Sequence, residues 1–273
     1  MLRLEGVGHA YDDRRVLDGI DLELPEHRIG VVGANGSGKS TLARTLNGLV
    51  LPDEGQVWLG EWNTHRHARR IRRRVGFVFS DAANQIVMPT VAEDVEVGLR
   101  PLKLGRAETE RRVDRILDRY GLADHRDHPA HLLSGGQRQM LALASVLATE
   151  PEVLVCDEPT TLLDLRNTRM VHRVLATLEQ RVVLFTHDLG LLAGFDRVLV
   201  MDGGRVVHDG APDEAVDFYT GLMDAAPDEA VPLASGTPGP AVPGPVAPDR
   251  DPDGSSSRSG AHTPPAAPGG GRP

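Results

Sequence analysis

Apolar and polar positions follow two rhythms along this chain. Ile29 to Val32, Val75 to Phe79, Val153 to Cys156 and Val182 to Phe185 are short, almost wholly apolar runs. Such runs read as strands buried on both faces. Between them the apolar spacing turns helical over Thr41 to Leu49, Glu108 to Tyr120 and Gln137 to Thr149. In the second of these, Val113, Ile116, Leu117 and Tyr120 share one face. Val198 to Met201 and Arg205 to His208 predict a hairpin turning through Asp202-Gly203-Gly204. Strands alternating with helices predict an α/β fold with a largely parallel sheet. There is no internal repeat.

The pattern fades near Ala225. From there to Pro273 the chain holds 12 of its 20 prolines, 8 of its 30 glycines and no aromatic residue. A segment so composed buries too little apolar surface to offset its ordering entropy. The expected organisation is one domain over 1–223 and a disordered tail over 224–273. The net charge of −9 argues against a nucleic-acid partner, for which a basic footprint is expected. The single cysteine, Cys156, excludes a disulfide framework and reads as a small buried hydrophobe in its strand. No apolar signal-peptide core follows Met1, and no run of about 18 apolar residues occurs, so a cytoplasmic protein is expected. Arginine outnumbers lysine 28 to two, which draws attention to Lys39.

Lys39 lies in Gly33-Ala34-Asn35-Gly36-Ser37-Gly38-Lys39-Ser40-Thr41, after a strand and opening a helix. Two glycines four residues apart followed by Lys-Ser form the Walker A pattern. Its glycines let backbone N–H groups turn toward phosphate oxygens, and the helix dipole adds to the attraction. Lys39 is expected to meet the β- and γ-phosphates, and Ser40 to ligate Mg²⁺. The strand Val153 to Cys156 runs into Asp157 and Glu158. Asp157 suits a Walker B role on the metal, and Glu158 suits a general base for the attacking water. A second anion-binding helix N-terminus is expected at Ser134-Gly135-Gly136-Gln137, preceded by Leu133.

With that pentapeptide about twenty residues before the Walker B strand, residues 1–223 resemble the ATP-binding cassette (ABC) ATPases. The resemblance implies a P-loop NTPase-like fold with a mainly parallel core, an antiparallel β subdomain and a helical signature subdomain. It implies ATP and Mg²⁺ as ligands. It also implies that Tyr11 stacks on adenine, that Asp164 communicates across a dimer and that His187 contacts the γ-phosphate. ATP would lie between the Walker loop of one subunit and Ser134 to Gln137 of another, identical or paralogous. The family has a glutamine on the metal directly after the strand equivalent to Val75–Phe79. Here Ser80 stands there, and Gln85 lies nearby in a place suited to the helix expected after the loop; either is a candidate for the metal role.

Asn84-Gln85-Ile86-Val87-Met88-Pro89-Thr90-Val91-Ala92-Glu93-Asp94-Val95 resembles the ATPases of energy-coupling factor importers, the biotin branch first and cobalt or nickel ATPases next. That implies a transmembrane coupling protein and a membrane substrate-capture protein as partners, with this subunit peripheral on the inner face of the membrane. A non-transport cassette ATPase, such as a DNA-repair or translation factor, is the other class, but those usually have two cassettes per chain or a long coiled-coil insertion, and this sequence shows neither. An inactive scaffold is disfavoured by the retention of Lys39, Asp157, Glu158 and His187. The six arginines of Arg66 to Arg74 read as a solvated face, or one meeting lipid or the partner. His125, His128 and His131 have a metal-like spacing, but Pro129 breaks any helix that would align them.

Overall fold

A computed structural model describes residues 1–225. The expected tail lies outside the described residues, apart from the end of the last helix. The apolar runs become β3 (Arg28–Gly33), β6 (Val75–Val78), β7 (Val153–Asp157) and β8 (Arg181–Phe185). They are burial-driven strands. Leu154 and Cys156 of β7 and Val182 and Leu184 of β8 enter one core, while Val153, Val155, Val183 and Phe185 enter the other. The two-residue side-chain period thus hides both faces of the sheet. The strand order is β10-β9-β3-β8-β7-β6, with β9 at Arg197–Asp202 and β10 at Arg205–Gly210. All neighbours pair in parallel except the β9–β10 hairpin.

A second sheet, wholly antiparallel and ordered β2-β1-β4-β5, comes from β1 (Leu2–Tyr11), β2 (Arg14–Leu24), β4 (Glu54–Leu59) and β5 (Trp62–Asn63). Its residues gave no strand signal of their own. Register shifts on either side of Val7, with Gly6 at φ 56°, interrupt the apolar alternation of β1. Helix α1 (Lys39–Leu46) packs Leu42, Ala43 and Leu46 into the core between the two sheets.

The opposite face of the large sheet carries α3 (Val91–Leu99), α4 (Arg106–Arg119), α5 (Gly135–Leu147) and α6 (Leu165–Thr177). Of these, α4 and α5 match the helical spacing, each beginning two residues before the expected start. Helix α2 (Thr64–Ile71) carries part of the arginine run, and the Arg70 and Arg74 guanidiniums flank the Trp62 ring at 4.5 and 4.3 Å. The last helix, α7 (Pro212–Ala225), lies against β3 and β9 through Ala215, Val216, Tyr219 and Leu222. It continues two residues past the expected domain end. Among the described residues, no helix is long and apolar enough to cross a membrane.

Candidate functional site: an open phosphate cleft and a second helix terminus

Strand β3 delivers the chain into the loop 33–38, and α1 starts at Lys39. Gly38 occupies the N-cap at φ 100° and offers no side chain to the N–H groups of the first turn. A Cβ there would stand 2.6 Å from the Val16 carbonyl oxygen, so only glycine lets the loop lie this close to β2. The first N–H groups of a helix have no acceptor within it, and here they are left uncapped. The Ser37 hydroxyl is buried without a hydrogen-bond partner. Uncapped donors and an orphaned hydroxyl around a lysine are what a phosphate chain would satisfy.

The charged side chains of the cleft bond to one another. Lys39 Nζ donates to the carbonyls of Gly33 (2.6 Å) and Ala34 (3.0 Å), and lies 4.0 Å from Glu158 Oε1. Burial pushes its pKa down, against the pull of Glu158 and Asp157. Ser40 Oγ donates to Asp157 Oδ1 at 2.9 Å, joining the Walker A serine to the Walker B acid at the end of β7. Asp157 is 3% exposed, and burial raises its pKa against the Ser40 hydrogen bond and the Arg44 guanidinium. A hydroxyl and a nearly dry carboxylate in contact are the hard oxygen donors that suit Mg²⁺.

Glu158 has a left-handed backbone, φ 53°, rare for a residue with a side chain and costing on the order of 1–3 kcal/mol. The turn is held by its N–H donating to Phe185 O at 2.9 Å. It brings Glu158 Oε2 within 2.6 Å of His187 Nδ1, just beyond the end of β8. These groups face an open cleft of about 1420 Å³, lined also by Tyr11, Asn35, Gly36, Thr41 and Ser80. Tyr11, 45% exposed, meets His9 edge-on at 4.7 Å between ring centres.

Other expected site residues lie elsewhere. Ser134, Gly135, Gly136 and Gln137 do not line this cleft. They open α5 as a capping box, with Ser134 N donating to Gln137 Oε1 at 2.8 Å and Gln137 N donating to Ser134 Oγ at 3.3 Å. Asp164 caps α6, its Oδ1 accepting from Asn167 N at 2.8 Å. Gln85 is outside the cleft and outside any following α-helix. It ends a 3₁₀ turn, where its Oε1 accepts from Phe79 N and its Nε2 donates to Ala142 O of α5. The expected helix begins later, at Val91, because Pro89 intervenes and the Thr90–Glu93 capping box sets its start. Cys156 is fully buried, and burial pushes its thiol pKa up.

Among the cleft residues that no sequence motif marks, two come from distant elements. Arg14 enters from the start of β2 and Tyr219 from α7. Neither belongs to a local motif, so only the fold brings them to the loop. Among the described residues no three His, Cys, Asp or Glu side chains form a metal cluster, and the histidines near the signature are no exception.

Comparison with known proteins agrees with this geometry. Residues 17–161 match the ABC transporter family. A putative ABC transporter ATP-binding protein of Deinococcus radiodurans is 51% identical over 223 residues, covering 82% of this chain and 99% of that protein. The biotin transport ATP-binding protein BioM of Rhizobium etli is 43% identical over 218 residues, covering 80% and 97%. Among solved structures, cbiO1 of Clostridium perfringens, part of the ABC transporter complex cbiONQ, superposes with a TM-score of 0.71 at 32% identity, covering 82% and 93%. A Walker A pattern, a Walker B pair, a signature pentapeptide and these relatives make the chain an ATP-hydrolysing member of the ABC transporter family, resembling the ATPases of energy-coupling factor importers.

Proposed function

We propose that this chain is the ATPase subunit of an energy-coupling factor importer, peripheral on the inner face of the cell membrane, and that the favoured solute is biotin. One observation carries the two-subunit part of this reading. The cleft gathers Lys39, Ser40, Glu158 and His187 from one chain, while Ser134 to Gln137 lie outside it. A helix N-terminus with the family signature and no nucleotide of its own suits a nucleotide held by a second subunit, identical or paralogous.

In that arrangement the loop 33–38 and Lys39 hold the phosphates, and Tyr11 lies under the adenine. Ser40 and Asp157 would hold Mg²⁺, which when bound neutralises charge on the β- and γ-phosphate oxygens. Glu158 takes the proton of the attacking water. His187, bonded to Glu158 through Nδ1, keeps that carboxylate oriented. Ser80 lines the cleft and takes the loop's metal role through a bridging water, while Gln85 braces the loop against α5. Asp164, next to the exposed Leu165, faces the partner subunit.

The biotin assignment is supported by the loop Asn84 to Val95 and by the likeness to BioM. Uptake of labelled biotin by cells with and without this gene tests it, alongside cobalt and nickel uptake. Loss of biotin uptake is expected. Loss of metal uptake with biotin intact moves the chain to the metal-ion branch. Co-purification with a hydrophobic membrane protein is expected, and a chain found only with soluble partners contradicts the transport role.

A further inference from the structure

Three histidines near the signature have no part in the reading above, and two of them meet. His125 Nδ1 and His128 Nδ1 are 2.7 Å apart, with ring centres at 4.9 Å. His125 Nε2 lies 2.8 Å from Gln137 Nε2. Donor and acceptor rules fix every role in this chain of contacts. Ser134 N–H can only donate, so the Gln137 atom facing it is Oε1. The other end of the Gln137 amide is therefore its N–H₂, and His125 Nε2 accepts from it. His125 then carries its proton on Nδ1 and donates it to His128 Nδ1, which accepts. His128 must hold its own proton on Nε2.

The backbone secures this arrangement. Val91 N donates to His128 O at 3.2 Å, Ala92 N donates to Arg126 O at 2.9 Å, and Ala130 N donates to Pro89 O at 2.8 Å. Arg126 is in turn paired with Asp114 at 3.0 Å and Asp127 at 3.1 Å. The segment carrying both histidines is thus pinned to the start of α3, and its His125 ring meets the first turn of α5 at Gln137. His131 takes no part in these contacts.

We infer that His125 is a positioning residue for the signature helix: it fixes the amide orientation of Gln137, and His128 fixes the tautomer with which His125 does so. A flipped Gln137 amide would turn N–H₂ toward Ser134 N–H, opening the capping box at the helix end offered to the partner's nucleotide. This inference rests on the two-subunit reading above.

The experiment measures ATPase rate against ATP concentration for the full chain and its variants. His125→Ala should raise KM about fivefold and leave kcat within about twofold, the pattern of lost binding that is uniform between ground and transition states. His125→Gln, whose side-chain carbonyl can accept from Gln137, should restore KM to within about twofold of the unaltered chain. His128→Ala, at an exposed ring, should raise KM about twofold. Binding of a fluorescent ATP analogue to the Walker loop should be unchanged in all three and reports that each is folded. A Ser134→Arg variant separates the two readings: turnover should be lost with analogue binding kept. Full turnover in Ser134→Arg overturns the two-subunit reading. Loss in Ser134→Arg with an unaltered KM in His125→Ala overturns the positioning role alone, as does a His125→Gln variant no better than alanine. Should His125→Ala fail the binding check, His128→Ala with unaltered KM overturns the inference.

Discussion

Two helix N-termini of this protein suit phosphate, and they are built in opposite ways. The α1 end is capped by a glycine with no side chain to give, lies in a cleft and is surrounded by charge. Its lysine, serine and two acids contact one another or nearby carbonyls: Lys39 with Gly33 and Ala34, Ser40 with Asp157, Glu158 with His187. The α5 end is exposed at Ser134 and Gly135, and the capping box of Ser134 and Gln137 satisfies the N–H groups of those two residues. It carries no acid in its first turn, and the one charged group there, Arg138, donates to the Leu133 carbonyl at 2.6 Å. The α1 end concentrates charge, at a cost in desolvation that burial imposes on Lys39 and Asp157. The α5 end holds its shape by hydrogen bonds alone. An end crowded with paired charges needs a ligand to complete it, whereas a self-capped end keeps its form while separate from one.

The sharpest way to break this contrast is at Glu158. Glu158→Gln should lower turnover about 10²- to 10⁴-fold, the range for removing a general base. ATP binding should persist, with a closed dimer accumulating on size-exclusion chromatography. Hydrolysis at the unaltered rate would falsify the general-base assignment. Next in size is Lys39. Lys39→Ala should weaken nucleotide binding at least tenfold by titration. Lys39→Arg should also weaken it, because a guanidinium is wider and less compact than an ammonium. Unchanged affinity in both removes lysine from the phosphate site.

A smaller effect concerns stability. Burial raises the Asp157 pKa, so the folded chain keeps that proton to higher pH than the unfolded chain, whose aspartate titrates near about pH 4. The stability this gives below pH 4 is lost as pH rises through the folded pKa. Asp157→Asn removes that loss, so the nucleotide-free variant should melt a few degrees higher at pH 7. The gap should close toward pH 4, while Mg²⁺-dependent turnover falls. A lower melting temperature at pH 7 would show that the carboxylate supports the fold. The smallest effect is expected from removing residues 226–273: ATPase rate and melting temperature should match the full chain. A large drop in either makes those residues part of the working domain.

Much of the large sheet was legible in the sequence because β3, β7 and β8 are buried on both faces, so their central positions are almost all apolar. The antiparallel sheet was not, because the irregular register of β1 and β2 around Gly6 and Val7 breaks the alternation that marks a strand. Helices α4 and α5 announced themselves by period, whereas α7 did not, although its residues reach the cleft through Tyr219 and Met223. The motifs singled out Lys39, Ser40, Asp157 and Glu158 by residue type and short spacing, and the fold brings the four together. For the loop after β6, Ser80 and Gln85 were both candidates in the sequence, and the fold turned one into the cleft and bound the other to α5.

The sequence by itself determined the residue types and local spacings: a glycine loop before a lysine, two acids ending an apolar strand, a Ser-Gly-Gly-Gln helix start. Lys39 stands out there against 28 arginines because the loop calls for a compact ammonium. Tertiary structure alone decided which distant pieces meet. It set Ser40 against Asp157 and Glu158 against His187, and it aimed His125 at Gln137. The physical reason is range. Backbone preference and side-chain period act over a few residues, whereas these contacts join positions 117, 29 and 12 residues apart, aligned only by packing around shared cores.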